Sequence, residues 1–131
     1  MGKAESTRMF AEFLRGEGYI PQIDEDGDVR FKIEGRIYYA FFDEKDEHFF
    51  RLVFPSFWAI ESEDERRKVQ KAALEATAEI KVAKVFPVRD NVWATIELFC
   101  STPDEAKKVF QRSMSALKAA VQEFADKMRA S

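Results

Sequence analysis

One cysteine, Cys100, one histidine, His48, and no apolar run near bilayer length set the first bounds on this 131-residue chain. A lone cysteine permits no intramolecular disulfide, so a reducing cytoplasm is the expected compartment. Cys100 and His48 together cannot supply the three or four soft or imidazole ligands that a zinc site needs. They are also the only available nucleophile–base pair of that type, and nothing in the local sequence "DEKDEHFF" joins them. The expected reading is an exposed turn histidine and a thiol at a strand end. The five glycines are scattered, so phosphate-loop and dinucleotide-binding patterns are absent. The apolar segments fall short of the ~20 residues a membrane helix requires. The start carries no apolar signal region, and "MGKAES" fits the loose myristoylation pattern only as a short match that chance produces often. Basic charge is not in excess: 21 Lys and Arg face 24 Asp and Glu, a net charge of −3. That balance argues against a nucleic acid, which selects a concentrated basic face, and against an anionic membrane surface. Neither a metal nor another cofactor is expected.

Core material, by contrast, is plentiful. Hydrophobic residues make up 46% of the chain and include 13 Phe, enough for one domain over residues 1–131. "AESTRMFAEFLRGEGY" reads as a helix with Met9, Phe10, Phe13 and Leu14 on one stripe, stopped by left-handed positions at Gly16 and Gly18. "VRFKI" alternates as a strand, Glu34-Gly35 marks a turn, "RIYYAFF" runs apolar on both faces, and "FFRLVF" is a further strand ended by Pro55. There is room for another short strand at "YIPQI". Ser62 and Glu65 form a capping box at the head of a second helix carrying Val69, Ala72, Ala73, Ala76 and Ile80. "VAKVFPV" and "VWATIELF" are two strands joined at Arg89-Asp90-Asn91. Thr102-Pro103 opens a last helix, with Ala106, Val109, Phe110, Met114, Leu117, Val121, Phe124 and Met128 on its stripe. The order α-β-β-β-α-β-β-α with short turns predicts a two-layer α+β domain: an antiparallel sheet with helices on one face.

"IDEDGDVRF" is the stretch most suggestive of chemistry. An EF-hand loop beginning at Asp24 needs glycine at its sixth position and glutamate at its twelfth; the chain has Val29 and Gly35 there. Catalytic carboxylates need a desolvated pocket, which a loop tip offers poorly. A hairpin accounts for every residue, with Asp26-Gly27 as a type I′ pair and the surrounding acids in solvent. On the second helix Arg66, Arg67, Lys68 and Lys71 follow Glu61, Glu63, Asp64 and Glu65, as expected of a solvated face with i,i+4 pairs.

The aromatic residues are more informative. Val92, Ala94, Ile96 and Leu98 share one side of their strand; Trp93, Thr95, Glu97 and Phe99 share the other. Phe50, Leu52 and Phe54 likewise oppose Phe49, Arg51 and Val53. The side turned from the helices therefore carries Phe49, Arg51, Val53, Trp93, Thr95 and Glu97, with one set from either Ile37, Tyr39 and Phe41 or Tyr38 and Phe42. This composition suits a partner-binding surface, unless the last helix or a loop covers it. Phe57 and Trp58 are expected to staple the second helix to the core.

The helix, then "GYIPQIDEDGDVRFKIEGRIYYAFFDEKDEHFFRLVF", the capped helix, "AKVFPVRDNVWATIELF" and the long final helix together resemble the YbjN-like family, described as bacterial sensory transduction regulators with a fold like the type III secretion chaperones. The D-x-D-G-D-x-x-F hairpin at residues 24–31 carries the likeness best. The resemblance implies a non-enzymatic, dimeric, cytoplasmic bacterial protein that binds polypeptide or acts in stress regulation, and it brings no catalytic or cofactor residue with it. The leading expectation is a chaperone-like or regulatory protein-binding module, dimerising or taking a polypeptide on the aromatic sheet face or edge. The alternative is a small-ligand sensor with a Phe- and Tyr-lined pocket between sheet and helices.

Overall fold

The computed structural model describes residues 2–130. Nine elements follow in order: α1 (Lys3–Gly16), β1 (Gln22–Ile23), β2 (Val29–Ile33), β3 (Arg36–Phe42), β4 (Phe49–Ala59), α2 (Glu63–Glu79), β5 (Ala83–Val88), β6 (Asn91–Phe99) and α3 (Pro103–Ala130). The strands form one antiparallel sheet in the order β1-β2-β3-β4-β6-β5. The two-layer α+β architecture is the one the periodicity predicts, and "YIPQI" contributes the short β1.

All three helices pack on one side of the sheet. Phe10 of α1 meets Phe42 and Phe50, Phe110 of α3 meets Phe31, and Phe124 of α3 meets Phe57 and Trp58. Val69, Ala72, Ala73 and Ala76 of α2 join the same buried cluster. Lys127 ties α3 to α2, its Nζ lying 3.1 Å from Glu79 and 3.6 Å from Glu75.

The local signals operate largely as expected. Ser62 accepts from the Glu65 amide (3.1 Å), but the Glu65 side chain reaches past the cap residue to the Glu61 amide (2.8 Å). Helix α1 ends in a Schellman motif: the Tyr19 amide donates to Leu14 and the Gly18 amide to Arg15. Only Gly18 (φ 96°) is left-handed there; Gly16 is the last helical residue.

Three expectations need correction. Pro55 does not end β4. It interrupts the ladder to β6 between Phe54 and Trp58, with Ser56 at φ 51°, and pairing resumes to Ala59. A missing amide breaks a bond without ending a strand when a bulge can absorb it. The turn at Asp26-Gly27 is not type I′, because Gly27 has positive φ and Asp26 does not. The Gly27 amide donates to the Asp24 carbonyl and the Asp24 amide to the Asp28 carbonyl, as in a three-residue loop with a left-handed glycine. Glu34-Gly35, with φ of 51° and 80°, is the hairpin with positive φ at both places. Third, the acids of residues 24–28 do not all stand in solvent: Asp28 is 8% exposed and lies 3.0 Å from the Lys3 ammonium.

Candidate functional site

Cross-strand partners in an antiparallel sheet project to the same side, so the register fixes the face turned from the helices. One row runs Gln22, Arg30, Tyr39, Val53, Thr95, Lys84 across all six strands. Beside it lie Phe41, Arg51 and Glu97; then Phe49 and Phe99; then Trp93 and Phe86; then Lys32 and Ile37. The six residues expected on this surface thus share one face. Of the two sets open in β3, Ile37, Tyr39 and Phe41 belong here, while Tyr38 and Phe42 are in the core. Among the described residues no helix packs on this side, and none of its aromatic rings belongs to or packs against the core cluster.

The six do not play one role. Val53 and Thr95 have zero exposure although no layer covers them. In the register they are flanked by Tyr39, Arg51, Trp93 and Glu97, whose longer side chains shut solvent from the small central pair. They form a floor with no accessible surface of its own. The accessible groups stand around them. The Tyr39 and Phe41 rings are parallel within 3° at 5.8 Å, and the Arg51 guanidinium lies 4.9 Å from the centroid of Phe41. Phe49 meets Phe99 at 5.8 Å, and Phe99 is 79% exposed. Lys84 donates to Glu97 at 2.8 Å and the Thr95 hydroxyl donates to it at 3.0 Å. Burial works to raise the Glu97 carboxyl, but these two hydrogen bonds and the Lys84 and Arg51 charges outweigh it and hold the group below its ordinary range. Glu97 is therefore a fixed negative charge amid cations.

Arg30, Lys32, Lys84 and Phe86 also belong to this face and were missed. Alternation along β2 could have placed the first two there. The β5 pair needs the register against β6, which no local pattern announces.

The β5 edge of the sheet is closed to an added strand. In outer strand β5 the Val85 amide donates to Thr77 Oγ1 (2.9 Å) and the Thr77 hydroxyl returns to the Val85 carbonyl (3.3 Å). Two residues on, Pro87 has no amide to offer. At the opposite edge β1 is two residues long and has α1 beside it.

The other candidates resolve into structure. The Asp24, Asp26 and Asp28 carboxylates lie within 4.8 Å of one another. Asp24 Oδ1 already accepts the Asp26 and Asp28 amides, the Thr7 hydroxyl fixes the Gly27 carbonyl, and the Lys3 ammonium supplies the local positive charge. The Cys100 amide donates to the His48 carbonyl at 2.7 Å, so the two residues are neighbours through the backbone. The thiol is buried, and burial with the nearby Glu105 charge pushes its pKa up, away from a nucleophilic thiolate. Arg66 is a tether as well as a solvated charge, bonding the Arg89 carbonyl (3.1 Å) and Asp90 (2.9 Å) on the β5–β6 turn. The Trp58 indole donates to Glu65 at 3.4 Å, a polar link to the head of α2, while the Phe57 and Trp58 rings pack on Phe124 of α3.

The chain matches no family model, no curated protein and no solved structure. The open face is thus described by its own chemistry: ring edges and cations around a sealed small-residue floor. Among the described residues no helix is long and apolar enough to cross a membrane.

Proposed function

We propose that this chain is a non-enzymatic, chaperone-like or regulatory protein-binding module that takes a polypeptide or a second copy of itself on the open sheet face, in a reducing compartment such as the cytoplasm. The carrying observation is the set of rings, Tyr39, Phe41, Phe49, Phe86, Trp93 and Phe99, placed outside the core cluster on a face no helix covers. The closed β5 edge and the shortness of β1 favour the face over strand addition. The resemblance to the YbjN-like family points the same way. A ligand pocket between sheet and helices draws less support, because Phe10, Phe31, Tyr38, Phe42, Phe50 and Phe110 fill that space against one another.

Light scattering on the purified chain, and on material drawn from its host by affinity, tests this. A dimer or a stoichiometric complex is expected, weakened at least about tenfold by Trp93→Ala and by Arg51→Glu, each with its circular dichroism intact. A chain that stays monomeric at high concentration and brings down no stoichiometric partner overturns the proposal.

A further inference from the structure

We propose that the occupant of the open face is an acidic polypeptide segment with interspersed aromatic or aliphatic side chains, an inference that rests on the binding reading above. The charges in register on this face are Arg30, Lys32, Arg51 and Lys84 against Glu97, with Asp43 at the end of β3 near enough to feel the Arg51 charge. Lys84 is already paired with Glu97 at 2.8 Å. Among the described residues Arg30, Lys32 and Arg51 have no carboxylate within ion-pair distance. The chain as a whole carries −3, so this face has the sign opposite to the rest of the molecule. Cations interleaved with half-buried rings and the exposed Phe99 match a partner that alternates acids with apolar anchors.

Two other occupants fit less well. Laying the face on a second copy doubles its excess of cations, and like charges set against each other are costly. A single-stranded nucleic acid would find the Phe41 ring already covered by Arg51 and a fixed carboxylate, Glu97, in the middle of its track.

The test uses the full chain and three fluorescently labelled peptides of equal length and equal Leu and Phe content, one acidic, one neutral and one basic, with oligo(dT) and oligo(U) as phosphate probes. Anisotropy is read at low salt and again at about 1 M, where the Debye length is about 3 Å. The acidic peptide is expected to bind at least about tenfold tighter than the basic one at low salt, with the difference collapsing at high salt. The double variant Arg30→Glu with Lys32→Glu should reverse that order while keeping its circular dichroism, since neither side chain is in the core. Equal or tighter binding of the neutral or basic peptide overturns the acidic assignment and leaves the binding face standing. Tighter binding of an oligonucleotide than of any peptide overturns both. If no probe binds, a dimer lost on Trp93→Ala shows the second copy to be the occupant, and a monomer removes both readings.

Discussion

Lys3 and Asp28 form a charge pair in which burial outweighs the cation's pull on the carboxylate. Burial raises the Asp28 pKa from its ordinary value; the Lys3 hydrogen bond and charge oppose this without cancelling it, and Asp24 and Asp26 add to the rise. A carboxyl raised in the fold binds its proton more tightly folded than unfolded. Its ionisation therefore costs stability, and the cost grows as pH climbs from the ordinary value of 3.8 to the raised one, then stays level. Removing the compensating ammonium deepens that cost. Lys3→Met is expected to lose about 1–2 kcal/mol at pH 7 in urea unfolding, less than for a fully buried pair because Lys3 keeps 23% exposure. The deficit should shrink as pH falls through the raised range of the Asp28 carboxyl and be gone by its ordinary value of 3.8. Adding Asp28→Asn to Lys3→Met should recover most of the loss at pH 7, because no stranded charge remains.

At the scale of elements, β5 depends on a hydroxyl from the helix before it. Thr77 supplies one acceptor and one donor to the outward-facing groups of Val85. Thr77→Val keeps shape and removes both bonds, so a loss of about 1–2 kcal/mol is expected. It also reopens the outer edge, so scattering on heating should rise earlier than in the parent chain. The elements themselves were legible in the residues: β2 and β6 by strict alternation, α2 by Ser62 and Glu65, α3 by Pro103 and its long apolar stripe. What escaped were features created by pairing. The bulge after Phe54 exists because β6 resumes contact at Val92. The Asp24–Asp28 loop is shaped by α1, through Thr7 and Lys3, residues about 20 positions away in the chain. Local propensity speaks of neither.

Across the whole molecule Phe110 is the keystone. Its ring meets Phe10 and Phe13 of α1, Tyr19 of the following turn and Phe31 of β2. Phe110→Ala is expected to cost about 3–5 kcal/mol, a large share of the roughly 5–15 kcal/mol of a small domain, and to weaken the near-ultraviolet dichroism of the shared rings; chemical denaturation measures the first. The candidate face is a property of the same scale, and this is why composition concealed its sign. A net charge of −3 averages over a surface whose helix side and turns carry the acids, while the uncovered side of the sheet gathers cations from three strands. Trp93, Glu97 and Arg51 could be assigned to that side from alternation; Lys84 could not, because its place is set by β6.

The strand order has a consequence during synthesis. β4 takes β3 as one neighbour and β6 as the other, yet Phe49 and its mate Phe99 are separated by α2 and the whole of β5. While the chain leaves the ribosome, the meander through "FFRLVF" is complete long before residues 91–99 emerge, and its last strand waits with one flank bare and strongly apolar. The nascent protein passes through a stage in which it is itself the sticky polypeptide, sheltered only when its own final strand slides in beside β4.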